Sequence, residues 1–485
     1  MSSISAQHPR VFSRVGIPLS LLLIAFPATA QTGTGVDSLD HYVRAELARQ
    51  RIPGLSIAVL RGDSVILARG YGYSNVEHHV LATDSTVYEV GSISKQFTAA
   101  AIVLLSEEGR LGLNDVITRY LPEGSTIWSG VTMRHLLTHT SGVSDQSLDT
   151  LDFRKDYTDE ELVRLAAAQP LLFKPGASYS YSSTGYTLLG VIIHRVTGEF
   201  YGDLLRDRIF RPLDMRAARV NSDTAIVPNR SAGYRFERGT LKNRDWTSPS
   251  LSATADRGLS FSARDLSRWA IALNHGKPLG RAGVQASWTP VRLNEGWTYP
   301  YGLGWQLTQQ RGYRRIGHSG AWGGFQATLQ RYPDFELTVI VLTNLDEANP
   351  EGIASGIAGI LEPVLTPPHL LPGRLPGQAP PRGIEDLVRD VAAARDSAEV
   401  TPAFRALTPP SRRERIASLL KGLQAWTLLG CENVTGRQMS RLGSRIEWLC
   451  YAKGPVREGE REGNVVITVL YGAAWRAAGI DLYFF

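Results

Sequence analysis

The stretch Val90-Gly91-Ser92-Ile93-Ser94-Lys95-Gln96-Phe97-Thr98-Ala99, continuing through apolar residues to Leu105, decides how the rest of the chain is read. Ser92 and Lys95 stand three apart at the mouth of an expected helix that runs to Glu108 and stops at Gly109. Both side chains therefore share one face of its first turn. A serine hydroxyl is a weak nucleophile until its proton is removed, and an amine desolvated in a pocket can remove it. Backbone N–H groups at a helix start favour the negative charge that develops beside them. Alone the pattern is common, since a serine there is usually a cap and a lysine one turn on is usually solvated. Only 7 of the 52 basic residues are lysine. Arginine cannot lose its proton in a protein, so a site that needs a neutral base has to keep lysine.

Chemistry at Ser92 also needs a second polar group at the hydroxyl, donors for an oxyanion and groups that orient substrate. Tyr181, within Tyr179-Ser180-Tyr181-Ser182-Ser183-Thr184-Gly185-Tyr186, opens an apolar helix through Val196 and is placed to share or relay the proton. Gly317-His318-Ser319-Gly320-Ala321 lies on a strand edge, where glycines let a substrate backbone approach closely. His139 reads as structural, tying down the turn before Ser141-Gly142.

These motifs, with Leu136-Leu137-Thr138-His139-Thr140-Ser141-Gly142 and Pro175-Gly176, resemble in order and separation those of the serine β-lactamase and penicillin-binding protein superfamily. The closest branch is the class C β-lactamase-like one, with its family VIII esterases, D-aminopeptidases and DD-carboxypeptidases. The resemblance covers residues 37–362. It implies that Ser92 attacks a carbonyl and that Lys95 and Tyr181 handle the proton. It further implies that the backbone N–H groups of Ser92 and Ala321 hold the oxyanion, while Ser183, His318, Ser319 and Gly320 contact the substrate. Two positions depart from the family pattern. Ser183 stands where asparagine is usual, with a shorter side chain and one rotatable hydroxyl. His318 stands where some relatives carry lysine, which removes a permanent cation. Together they favour an ester or small-amide hydrolase over a potent β-lactamase. The other reading, which the Ser183 departure keeps open, is a catalytically weak homologue that binds peptidoglycan fragments or β-lactams as a sensor or scaffold.

No cofactor or metal is expected. The chain lacks a His-Glu-x-x-His helix, its ten histidines do not cluster, and Glu77-His78-His79 has no further ligands at useful spacing. A Gly-x-Ser-x-Gly elbow is absent around the candidate serines, which argues against an α/β-hydrolase.

Working outward, the expected fold class is α+β: an antiparallel sheet flanked by helices, with an inserted helical lobe, followed by a small C-terminal α+β module. Periodicity places helices at 37–50, 132–137, 159–168, 201–209, 263–273 and 349–361. It places a hairpin at 55–60 and 64–68, and strands at 302–307, 313–317, 324–332 and 337–342. A cleft between sheet and lobe is the natural pocket. Residues 31–362 form the catalytic unit, 363–383 a Pro/Gly-rich linker, and 384–485 the module, with helices at 383–395 and 411–423 and strands at 425–432, 445–453, 464–471 and 475–485. The Arg412, Arg413 and Arg415 cluster reads as a solvated face.

Residues 1–30 read as a signal peptide, with Arg10 and Arg14, an apolar core at 17–26 and small residues before Gln31. That run is too short for a permanent span. The expectation is an exported protein, periplasmic or secreted, whose partners are small-molecule or peptide substrates and cell-wall fragments. Net charge falls from +6 to +4 once Arg10 and Arg14 leave, and the arginines are scattered, which argues against nucleic acid as a partner. The two cysteines, Cys431 and Cys450, lie on two expected strands equidistant from a turn near Ser440 and Arg441, so a cross-strand disulfide is expected.

Overall fold

The computed structural model describes residues 32–145, 151–371 and, with short gaps, 375–484. Residues 1–30, the expected signal peptide, lie outside the described residues, as does part of the expected helix at 411–423.

Apolar residues at nearly every position of Gly54–Arg61 and Leu337–Thr343 cannot leave a face in water, and both strands lie inside a seven-stranded antiparallel sheet. Its order is Gln306–Gln310, Tyr313–Trp322, Phe325–Tyr332, Leu337–Thr343, Gly54–Arg61, Ser64–Asn75 and Val80–Leu81. The first and last parts of the catalytic unit thus meet at its centre, with Leu55 opposite Thr343. Helices Thr32–Arg49 and Pro350–Leu361 cover the face carrying Leu55, Ile57 and Val59. Ala263–Asn274 packs on the other face.

The helical lobe is built around Ser94–Glu107, in which every residue from Ser94 to Leu105 is buried. Such a helix has no wet side, so its polar groups must find protein partners. The loop and strand at 255–261 supply several: Ser94 Oγ accepts from the Leu259 N–H at 3.1 Å, and Thr98 donates to the Ala255 carbonyl at 2.7 Å. Gln96 accepts from the Trp269 indole at 3.0 Å, and Phe97 stacks on Phe261 with ring centroids 4.5 Å apart.

Three expectations shift. The strand expected at 302–307 forms at Gln306–Gln310. The reason is Gly304, which adopts φ +79° and passes so close to the serine helix that a Cβ there would lie 2.6 Å from the Lys95 carbonyl. The strand expected at 313–317 continues to Trp322, so His318 and Gly320 sit inside a strand. Its edge is covered by Gln306–Gln310 only as far as Gly317, which leaves 318–322 open on that side. Finally, Ser92 lies on a 3-10 turn, Gly91–Ile93, and the α-helix begins at Ser94.

The C-terminal module carries helices Ile384–Ala392 and Pro402–Ala406 beneath a four-stranded antiparallel sheet. Its strands run Thr427–Asn433, Trp448–Glu458, Arg461–Tyr471 and Ala477–Phe484. Cys431 and Cys450 are opposite one another on the first two and are joined as a disulfide. A buried ionic cluster ties the module to the catalytic unit. Arg311 donates to Glu432 at 2.6 and 3.0 Å, Tyr451 donates to the same carboxylate at 2.6 Å, and Arg437 bonds both Glu432 and the Arg311 carbonyl. Of the expected linker, residues 363–370 form two 3-10 turns. Among the described residues no helix is long and apolar enough to cross a membrane, and no group of three or more His, Cys, Asp or Glu side chains could hold a metal ion.

Candidate active site

The Lys95 side chain is fully buried beneath Ser92. Its Nζ donates to Ser92 Oγ at 3.1 Å, to Ser183 Oγ at 3.4 Å and to the Asp256 carbonyl at 2.9 Å. Three oxygens fill the three donors of an ammonium. One of them is the hydroxyl whose proton a neutral amine there would take.

Asp256 completes this arrangement and had no signal in the sequence. Burial pushes its carboxyl up, but the charges of Arg257 and Lys95 outweigh burial and leave it below the ordinary carboxylate value. Arg257 Nε donates to it at 2.7 Å and Thr187 at 3.2 Å. The anion is thus held within the loop that lines the serine helix.

Tyr181 lies in the loop just before helix Ser183–Thr197, with its ring centroid 4.9 Å from Lys95 Nζ. The ring rests on His139, 4.2 Å between centroids. His139 Nδ1 accepts the Ser182 N–H at 3.0 Å, so this histidine ties the tyrosine loop as well as its own turn. Burial and then the charge of Lys95 hold the His139 ring well below the ordinary histidine range. Asp145, also unmarked in the sequence, accepts from Ser182 Oγ and from the N–H groups of Ser183 and Thr184 at 2.9–3.0 Å. A carboxylate at a helix N-terminus is favourable both as a cap and in the helix dipole. It fixes Ser183 with its hydroxyl toward Lys95.

Gly91 and Gly320 let the strand close on Ser92. A Cβ at Gly320 would fall 1.9 Å from the Val90 carbonyl and 2.7 Å from Ser92 N, and one at Gly91, φ +52°, would fall 2.6 Å from Ala321 N. The backbone amides of Ser92 and Ala321 are therefore carried by two segments in contact, as an oxyanion hole requires. Gly320→Ala forces these segments apart. It is expected to lower thermal stability by about 2 kcal/mol, the scale of overpacking a tight interior, and to abolish ester hydrolysis. A melting curve and a p-nitrophenyl acetate assay on the purified variant check both effects.

His318 is buried, and both ring nitrogens are engaged. Nδ1 faces the Ser319 carbonyl at 2.6 Å and so must carry the proton, which leaves Nε2 to accept from Tyr301 Oη at 2.9 Å. Burial pushes this imidazole down to about 3, so it is neutral across the working range. Ser319 Oγ donates to Glu351, on the first turn of helix Pro350–Leu361.

A buried neutral histidine has a consequence for stability. The unfolded chain gains a proton as pH falls through about 6.5, whereas folded His318 gains one only near pH 3. Stability is therefore lost as pH falls below about 6.5 and keeps falling toward pH 3. By pH 5 the loss from this one group is about 2 kcal/mol. Urea unfolding at pH 7 and pH 5 should show a lower midpoint at pH 5, with a smaller difference in His318→Gln.

The beta-lactamase family model matches residues 39–359. The chain belongs to the beta-lactamase family. It is a serine hydrolase of that family's superfamily, which also holds the penicillin-binding proteins. Among curated relatives it is 32% identical over 312 residues to a penicillin-binding protein of Bacillus subtilis (strain 168), covering 60% of this chain and 68% of the relative. It is 28% identical over 327 residues to protein flp of Staphylococcus aureus (strain MW2), covering 65% and 64%. Among solved structures, a D-stereospecific amidohydrolase from Streptomyces sp. superposes with a TM-score of 0.57 at 27% identity, covering 66% of this chain and 97% of that one. An octameric penicillin-binding protein homologue from Pyrococcus abyssi shares the fold over 93% of this chain and 98% of its own, with a TM-score of 0.62 at 23% identity. That likeness reaches into the C-terminal module.

Proposed function

We propose that this family member hydrolyses esters or small amides through a covalent acyl-enzyme, with Ser92 as nucleophile. The observation that carries the reading is the buried Lys95 amine 3.1 Å from Ser92 Oγ. Ser92 Oγ adds to the substrate carbonyl, and its proton passes to the Lys95 and Tyr181 pair. The N–H groups of Ser92 and Ala321 stabilise the oxyanion. Collapse of the adduct expels the leaving group, which takes the proton back through the same pair. Water then attacks the acyl ester by the reverse route and frees Ser92. Ser183 supports Lys95, while His318, Ser319 and Gly320 form the opposite wall.

The neutral state of His318 weighs against strong recognition of a substrate carboxylate, and so against a potent β-lactamase. A relative named D-stereospecific amidohydrolase, at 27% identity, points to an amide substrate. Residues 1–30 and the Cys431–Cys450 disulfide support export to an oxidising compartment, where cell-wall fragments are available.

Intact-mass measurement after incubation with a short-chain p-nitrophenyl ester and with penicillin tests the reading, together with p-nitrophenol release. Turnover of the ester and a transient mass gain of one acyl group are expected. Absence of both turnover and mass gain with every probe would falsify it.

A further inference from the structure

A cavity of about 860 Å³ lies between the catalytic unit and the C-terminal sheet. Its near end is aromatic, formed by Tyr179, Tyr181, Tyr299 and Tyr301, and its floor is the edge strand Gln306–Gln310. Its far wall is one face of the module sheet, where Val466, Thr468 and Leu470 alternate with Val465, Ile467 and Val469, which pack into the module's own core. The module thus turns one side of a strand to its core and the other to a space that Tyr181 also lines.

Charges of both signs line this space. Glu351 lines it and holds Ser319 Oγ, next to His318 and two residues from Ala321. Arg315 lines it too, with Nε on Thr308 and its charge, like that of Glu351, acting on Tyr332. Arg311 is matched by Glu432. Asp481 adds a second carboxylate on the module side. The cavity therefore holds both a carboxylate, Glu351, and a group of tyrosine rings, Tyr179 stacked on Tyr299 at 3.7 Å between centroids. A carboxylate among aromatic faces is the chemistry that holds an ammonium ion.

We propose that this cavity is a second compartment of the substrate site, roofed by the C-terminal module, that takes the leaving group and favours one bearing an ammonium cation beside Glu351. The inference rests on the hydrolase reading above, because the leaving group is placed by its need for a proton from the Lys95 and Tyr181 pair. Tyr181 lines the cavity, so a leaving group protonated there extends into it. The module is on this account part of the substrate-binding surface.

A pair of acetate esters of equal shape tests the charge: acetylcholine and 3,3-dimethylbutyl acetate differ only in a quaternary nitrogen against a quaternary carbon. The wild type is expected to prefer acetylcholine in kcat/KM by about tenfold, and Glu351→Gln to bring the ratio near one. Thr468→Trp, on the module wall, should lower kcat/KM for both bulky esters about tenfold relative to ethyl acetate, with ethyl acetate reporting the intact catalytic unit in the same preparation. Choline binding, followed by calorimetry, reads the compartment without turnover and should be lost in Glu351→Gln. A wild-type ratio near one, a preference kept by Glu351→Gln, or an equal loss on all three esters in Thr468→Trp overturns the proposal. If choline binds wild type and not Glu351→Gln while no ester is hydrolysed, the compartment stands and the hydrolase reading fails.

Discussion

Ser92→Ala is expected to lower kcat/KM for p-nitrophenyl acetate by at least about a thousandfold, the smallest loss typical of removing the attacking atom of a serine hydrolase. The substitution deletes one oxygen from a partly exposed position on the turn Gly91–Ile93. It leaves Lys95 with Ser183 Oγ and the Asp256 carbonyl as partners. Stability should therefore change by less than about 1 kcal/mol, since no buried group loses its last partner. The diagnostic pair is a melting curve close to wild type with no acyl adduct in the intact mass. A variant that still turned over the ester at a tenth of the wild-type rate would mean that another nucleophile does the chemistry.

Lys95→Met should be comparably severe in activity and worse in stability. Methionine follows the lysine stem and fills most of the buried space, so packing is largely kept. The lost Nζ leaves the Asp256 carbonyl and Ser183 hydroxyl short of a donor, and it removes one of the two positive charges that hold the buried Asp256 carboxyl down. A loss of about 3 kcal/mol is expected, the scale of breaking a buried charge arrangement by removing one partner. Lys95→Arg should not restore turnover, because a guanidinium keeps its proton and its planar fork does not fit a pocket built around one nitrogen. Rates on p-nitrophenyl acetate and urea unfolding of the three proteins measure both effects. Recovery of more than a tenth of wild-type activity in Lys95→Arg would remove Lys95 from proton transfer and leave Tyr181 with it.

What was readable in the sequence and what was not divide along a physical line. Ser92 and Lys95 were readable because a three-residue spacing at a helix start fixes their geometry locally. The strand pair Gly54–Arg61 and Leu337–Thr343 was readable because a run buried on both faces has to be apolar throughout. Asp256, Tyr301 and Glu351 gave no local sign. Each acquires its role only when the fold carries it to Lys95, His318 or Ser319 from elsewhere in the chain. The segment at 302–307 misled for a related reason. Its alternation is real, but Gly304 bends it against the Lys95 backbone, a contact no window of sequence contains. His318 carries the sharpest lesson. The family resemblance marked it as a site candidate, whereas its tautomer and lack of charge follow from burial and from Tyr301.

The pairing of Leu55 with Thr343 also sets an order of events for the growing polypeptide. The strand Gly54–Arg61 is among the first made and can seat against Ser64–Asn75 at once, by a short hairpin. Its other side has to wait for residues synthesised almost three hundred positions later. Until then the strand keeps an open backbone edge, and the face carrying Leu55, Ile57 and Val59 lacks its cover from helix Pro350–Leu361, the kind of surface that recruits neighbouring chains. Closing so long a loop makes folding slow, by the same rule that ties rate to the sequence distance between contacts. The central strand is therefore expected to be completed only after Leu337–Thr343 is made, and dilution and low temperature are expected to raise the refolding yield.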